Sequence, residues 1–284
     1  MLFFYNRIKD GKVFMNLMYC GDKNIKKGIF LSLASIIKYT KKKLNVYILT
    51  ASIDNREAIS DDFRVFLENY IKKENILNRV HLFDISSEFN GYLPLANMAT
   101  RFTPFCMLRL FSDKVDEIKG KVLYLDTDVL ALGDFSSFYE TDIKGYDLAG
   151  CADRYGSLVF GNILKRDYFN SGVLLLNMDQ IRKDDLFSKC RKMCRDEKMF
   201  MPDQSALNKL AIKKKVKRRF NEQGRIRKNT VFKHFTTFFR FFPWFKAITI
   251  KPWDIDKVHN KLKIHQFDDV LEEYINNKTK IEGE

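Results

Sequence analysis

Along the first two thirds of the chain, apolar residues come in short blocks that end in polar clusters. VFMNLMYC (13–20) has the composition of a strand, and GDKN (21–24) follows it as a turn. From Ile25 to Tyr39 the apolar residues Ile29, Leu33, Ile36 and Ile37 recur at helical spacing, and LNVYILT (44–50) is strand-like again. Strand, helix and strand in that order predict a parallel sheet with helices packed on it. The pattern continues with a helix over 58–73, a strand over 79–86, a helix over 104–113 and a strand over 121–126. Strands over 146–151 and 172–177 and a helix over 179–198 complete it. This is the alternation of a doubly wound α/β domain, in which ligands bind outside the carboxyl ends of the strands. GDKN and DTD (126–128) fall at such ends, and FNSG (169–172) immediately precedes a strand.

With 284 residues, 45% hydrophobic and 30% charged, the chain has enough material for one large domain. We expect an α/β core over 1–205 and a less regular C-terminal lobe, basic and aromatic, over 206–284, with no linker between them. No apolar run reaches the roughly 18 residues needed to span a bilayer. The opening MLFFYNRIKD turns polar too soon for a signal peptide. A cytoplasmic protein is expected, with its five irregularly spaced cysteines as reduced thiols. The net charge is +14, and ten Lys or Arg residues lie between Lys209 and Lys228 against one acid, Glu222. Such a stretch is either a solvated face or a surface for anionic lipid or a phosphate-rich substrate. No nucleic-acid-binding module accompanies it, so a nucleic-acid partner is not expected.

VLYLDTDVL (122–130) carries the chemistry. A strand of buried composition runs straight into Asp126 and Asp128. Two carboxylates there repel each other and are costly to bury. If the chain stays extended, both point to one side and share a divalent cation that leaves positions for phosphate oxygens. The plain structural alternative is an Asp that caps the next helix. A haloacid-dehalogenase-like phosphatase also fits the letters DTDV, with the first Asp as nucleophile and the second as acid/base. That motif, however, ends the first strand of its fold, and here a whole strand–helix–strand unit precedes it.

The order of motifs resembles family 8 glycosyltransferases, the group containing glycogenin and bacterial lipopolysaccharide galactosyl- and glucosyltransferases. The resemblance runs from about residue 14 to 253. FMNLMYCGDKN is similar to the uridine-binding strand and turn, LRLF contributes Arg109, and VLYLDTDVL is similar to the metal-binding D–x–D. DYFNSGVLLLN resembles the donor-sugar segment, MPDQSALN the D–Q pair under the reacting carbon, and KHFT with KPW the late histidine and diphosphate lysine.

The resemblance implies a Rossmann-like nucleotide-sugar-binding domain of the GT-A type, with a mostly parallel central sheet. It implies a retaining enzyme that transfers a hexose from UDP-glucose or UDP-galactose to a glycan or lipid-linked acceptor. Tyr19, Cys20, Asp22, Asn24, Arg109, Asp126, Thr127, Asp128, Asn170, Ser171 and Lys251 would line the donor. Asp126, Asp128 and His234 would hold Mn2+, which suits a nitrogen donor somewhat better than Mg2+ does. Asp203 and Gln204 would sit at the reacting carbon and Asp153 on the acceptor side. A non-catalytic UDP-sugar binder would show the same motifs.

Two departures stand out. Ile25 replaces the aromatic residue that usually follows the uridine turn, so stacking would come from Tyr19 or from elsewhere in the chain. TTFFRFFPWFKAITI separates HF from KPW and holds Phe238, Phe239, Phe241, Phe242, Trp244 and Phe245. It is either a hydrophobic piece of the lobe or an interfacial segment that, with the basic stretch, makes peripheral contact with an anionic membrane.

Overall fold

The computed structural model describes residues 14–98, 104–154, 156, 167–240, 244 and 246–283. In chain order the first elements are β1 (Phe14–Cys20), α1 (Lys26–Ile37), β2 (Lys43–Thr50), α2 (Asp61–Lys72) and β3 (Arg79–Asp84). Next come β4 (Lys121–Leu125), β5 (Val129–Ala131), β6 (Leu148–Ala152) and β7 (Phe169–Asn177). Then follow α3 (Met178–Lys183), α4 (Leu186–Asp196), α5 (Pro202–Leu210), β8 (Lys213–Lys215) and β9 (Phe232–His234). The chain closes through β10 (Phe238–Arg240), β11 (Lys246–Ile248) and α6 (Asp268–Asn276), with short helical turns around α6.

Seven strands form one sheet in the order β3-β2-β1-β4-β7-β6-β8. Its pairings are parallel except those that β7 makes with β4 and β6. Both faces are covered, so the strands read as continuous apolar runs. Along β1, Leu17 and Tyr19 face one core with α1 and α2, while Met18 faces the other core with Phe111 and α4. Ten of the twelve residues of α1 are buried, because the sheet lies on one side of it and α6 on the other.

Several elements differ from the sequence expectation. The helix expected over 104–113 is a 3-10 helix, Pro104–Lys114. The one expected over 179–198 is two, α3 and α4, because Asp185 turns left-handed at φ 52°. FNSG lies inside β7 rather than before it. Since β7 runs against β4, its first residues still fall at the carboxyl end of β4. The D–T–D segment is not extended either: β4 stops at Leu125 and the chain turns, with Val129 N–H donating to Asp126 O at 3.1 Å.

Beyond residue 205 the chain returns to the main sheet as β8. Lys213–Lys215 form an edge strand in which only Lys215 is exposed, and lysines on an edge discourage pairing with another chain. Lys213 Nζ donates to Asn208 O and Lys214 Nζ to Asp142 O, both at 2.7 Å, so these two are not free surface charges. Phe267, Val270, Leu271 and Tyr274 pack in the same core as α1. TTFFRFFPWFKAITI contains the antiparallel hairpin β10–β11, with Trp244 between its strands and 81% exposed. Phe241, Phe242 and Phe245 lie outside the described residues. All five cysteines are free thiols, and among the described residues no helix is long and apolar enough to cross a membrane.

Candidate active site

β5 and β9 pair antiparallel, with Val129 opposite His234, and this short ladder brings a residue from late in the chain beside the aspartates. One ligand atom from each of Asp126, Asp128 and His234 lies within 4.8 Å of the others. His234 Nε2 is 3.1 Å from Asp128 Oδ1 and 3.7 Å from Asp126 Oδ2. Its Nδ1 meets Asn221 Oδ1 at 3.1 Å. Asn221 Nδ2 donates to Asn170 Oδ1 at 2.9 Å, which turns the amide oxygen toward the ring. Nδ1–H is then the donor, and Nε2 directs its lone pair at two carboxylates. A divalent cation resolves that arrangement. The donor set of two carboxylate oxygens and one imidazole nitrogen fits Mn2+ and tolerates Mg2+.

Gly172 keeps the space between these candidate ligands open. A Cβ there would lie 2.2 Å from His234 Cε1 and 2.7 Å from Asp126 Oδ2, so no other residue fits without moving a ligand. Gly28 works similarly at the start of α1: its Cβ would stand 2.7 Å from Thr127 O and 2.9 Å from Trp253. The D–T–D turn and the KPW segment thus both dock on the first turn of one helix.

The electrostatics favour charged aspartates. Burial works to raise the Asp128 carboxyl, but the Lys251 ammonium outweighs it and holds it below the usual carboxylate range. Lys251 Nζ donates directly to Asp128 Oδ2. Burial would lower the Lys251 ammonium, and Asp128 reverses that and holds it raised. Asp126 Oδ1 accepts from Arg109 Nη2 at 2.9 Å and from Tyr124 Oη at 2.8 Å. Arg109 is buried with its guanidinium 3.9 Å from the Tyr124 ring centroid, and its Nε lies 3.4 Å from Asp203 Oδ2. One arginine therefore ties a candidate metal ligand to the candidate sugar-binding carboxylate. Burial raises the Asp203 carboxyl, and Arg109 opposes the shift.

A second buried network adjoins the first. Asn170 Nδ2 donates to Asp153 Oδ2 at 2.8 Å, and Gln204 Nε2 reaches the same oxygen at 3.3 Å. Gln204 Oε1 accepts from Ser171 N–H at 2.9 Å, and Ser171 Oγ lies 3.3 Å from Asp203 Oδ2. Asp153, Asn170, Ser171, Asp203 and Gln204 thus form one wall and Asp126, Asp128, His234 and Lys251 the other, with Arg109 bridging them.

The uridine segment reads differently. Asp22 and Asn24 bond each other, with Asn24 N–H and Nδ2 each 3.0 Å from an Asp22 carboxylate oxygen. Tyr19 is fully buried with its hydroxyl 2.9 Å from Ser32 Oγ, so its ring offers no face for stacking on a base. Burial, against the pull of Arg109, pushes the Cys20 thiol up to about 12, which keeps it neutral. Three residues that the sequence reading did not single out prove central. Tyr124 passes for an ordinary strand aromatic, Gly172 for part of FNSG, and Asn221 lies after a basic run with no motif around it.

Asn221 carries an expected result. Asn221→Ala removes the acceptor that orients the His234 ring, and loss of such an outer partner costs about 10- to 100-fold in metal affinity. A Mn2+ titration of that variant, set beside its circular dichroism spectrum, measures the effect. Unchanged Mn2+ affinity would mean that the ring is held by something else.

The glycosyl transferase family 8 model matches residues 16–256. Among curated proteins, a putative glycosyltransferase of Haemophilus influenzae is 27% identical over 188 residues, 62% of this chain and 52% of that protein. The lipopolysaccharide glucosyltransferase WaaO of Escherichia coli is 27% identical over 227 residues, 74% of this chain and 63% of that protein. The chain thus spans about half to two thirds of the length of these relatives. Among solved structures, galactosyltransferase LgtC in complex with donor and acceptor sugar analogs superposes with a TM-score of 0.65. It is 19% identical, with 92% of this chain and 96% of that one covered. The bifunctional glycosyltransferase WbbM gives 0.69 at 16% identity, over 97% of this chain and 52% of that one. These superpositions agree with a GT-A-type α/β fold, and the match over 16–256 makes the chain a member of glycosyltransferase family 8.

Proposed function

We propose that the chain is a retaining transferase that moves a hexose, glucose or galactose, from a UDP-hexose to a glycan or lipid-linked acceptor, with Mn2+ bound. The observation that carries this reading is the convergence of Asp126, Asp128 and His234 on a cradle that Gly172 keeps open. Asp126, Asp128 and His234 would hold the cation, which would supply Lewis-acid stabilisation of the departing diphosphate. Lys251 brings a positive charge to the same cradle. Across from it, Asp203 and Asn170 hold sugar hydroxyls, and Arg109 fixes the distance between the two walls. The Gln204 amide is held at both ends and is a poor nucleophile, which favours front-face displacement. The bond from C1 to the UDP oxygen breaks through an oxocarbenium-like state while the acceptor oxygen bonds C1 on the same face. The acceptor proton passes to the departing phosphate. Asp153 serves the acceptor side.

The location that suits this work is the cytoplasm, with peripheral contact at the inner face of an anionic membrane. Trp244, exposed on the hairpin that joins the His234 and Lys251 segments, supports that contact. Binding to vesicles containing phosphatidylglycerol at low salt tests it; protein that ignores them at low salt would refute it.

A thermal-shift comparison of UDP-, GDP- and CMP-sugars, with and without Mn2+, tests the main reading. A UDP-hexose at about 100 times its Kd adds about 2.7 kcal/mol of stability, or roughly 5–10 °C, and should do so only with Mn2+ present. Release of UDP on incubation then separates an enzyme from a silent binder. Equal stabilisation by GDP- or CMP-sugars, or by UDP-hexoses in EDTA, would contradict it, and hydrolysis of generic phosphomonoesters would favour the phosphatase.

A further inference from the structure

Asn221, Glu222 and Gln223 are three consecutive buried polar residues in a chain segment that is otherwise strongly basic. Each does different work. Asn221 orients the His234 ring and bonds Asn170. Gln223 Oε1 accepts from Arg154 N–H at 2.9 Å and its Nε2 donates to Ala152 O at 3.3 Å, which fastens the backbone on both sides of Asp153. Glu222, only 1% exposed, points the other way and holds two exposed guanidinium groups. Arg218 Nη2 is 2.7 Å from its Oε1, and Arg227 Nε is 3.5 Å from its Oε2. A Cβ on Gly224 would lie 2.6 Å from Arg154 Nη1 and 2.8 Å from Arg218 Nη2, so these two guanidinium groups also approach one another.

Holding arginines this way leaves a surplus of positive charge. Arg218 and Arg227 share a single carboxylate, and their side chains are 46% and 63% exposed. A buried glutamate that only needed neutralising would need one partner. Here it presents several donors at a rim built into the same segment that supports the donor site, on the Asp153 side.

We propose that this rim is an acceptor subsite for an acidic group, a phosphoryl or carboxyl substituent on the acceptor glycan. It rests on the transferase reading above, since it takes Asp153 as the acceptor side. Arg218 and Arg227 offer their outward N–H groups to the anion, and planar guanidinium groups suit two oxygens of a phosphate or carboxylate. The acceptor hydroxyl is thereby carried to the wall formed by Asp153, Asn170 and Gln204.

The test uses the full chain with Mn2+ and UDP bound and follows four probes by ligand-observed NMR: glucose, glucose 6-phosphate, glucuronate and inorganic phosphate. Glucose 6-phosphate or glucuronate should bind at least about fivefold more tightly than glucose, with affinity falling as salt rises. Whichever binds identifies the acid as phosphoryl or carboxyl. The double variant R218Q/R227Q should lose that preference and keep Mn2+-dependent UDP affinity, with a lower melting temperature because Glu222 is left buried without its two arginines. R227Q alone, which leaves Arg218 on Glu222, should weaken the preference and keep the melting temperature. No preference for the acidic sugars, or one that survives in the double variant, would overturn the proposal, as would inorganic phosphate binding as tightly as the acidic sugars. So would a double variant that keeps the preference but loses binding to phosphatidylglycerol vesicles, since the rim would then serve a membrane. Loss of UDP binding in the unaltered protein would count against the transferase reading instead.

Discussion

Asp128→Asn is expected to reduce transfer at least about a hundredfold, a loss of about 2.7 kcal/mol of transition-state stabilisation, while the protein stays folded. Asn keeps the size of the side chain but removes the charge that the cation needs. Asp128 is the carboxylate that His234 and Lys251 both face, and Lys251 holds it ionised at neutral pH. The Lys251 side chain is 35% exposed, so on losing its partner it reaches water rather than staying buried and unpaired. Stability therefore changes little while Mn2+-dependent UDP affinity falls. Steady-state transfer, a melting curve and a UDP titration with and without Mn2+ measure the three quantities. UDP affinity that keeps its full dependence on Mn2+ would remove Asp128 from the metal shell.

Gly172→Ala tests the same cradle through shape alone. Every ligand keeps its charge, yet the new methyl would meet His234 Cε1 at 2.2 Å and Asp126 Oδ2 at 2.7 Å. Either the ring moves or the aspartate does, and both are candidate ligands. Overpacking of this kind costs about 1–3 kcal/mol, or roughly 2–10 °C in Tm for a chain of this size. Mn2+ affinity is expected to fall at least about tenfold in the same variant. A drop in Tm with unchanged Mn2+-dependent UDP binding would show that the ion sits elsewhere. The two substitutions fail in different ways, since Asp128→Asn alters charge at constant shape and Gly172→Ala alters shape at constant charge.

The parts of this protein that were legible in its sequence are those with a local physical cause. β1, α1, β2, α2, β3 and β4 announce themselves because each buries a face whose period is local. The aspartate pair stands out because a buried strand has no reason to end in two carboxylates. What escaped depends on long-range pairing. β5 and β9 are three residues each and join only because residues 129–131 meet residues 232–234, a contact that no local pattern encodes. The lysines of β8 read as a solvated face or an anion-binding surface, whereas they form an edge strand that parallel pairing with β6 holds in place. Asn221 is invisible for the same reason: an Asn matters here only through the ring it orients, and that ring is thirteen residues away. Tyr19 obeys the alternation of β1: like Leu17 two residues before it, it faces the core rather than a ligand.

One divalent cation is expected between Asp126, Asp128 and His234, where it would hold the UDP diphosphate. Pulsed electron paramagnetic resonance of Mn2+ bound with UDP tests it most directly, because a coordinated imidazole nitrogen modulates the echo. That modulation is expected in the unaltered protein and is expected to vanish, with at least about tenfold weaker Mn2+ binding, in His234→Ala. Mn2+ and UDP bound together without any nitrogen modulation, or a modulation that persists in His234→Ala, would contradict it.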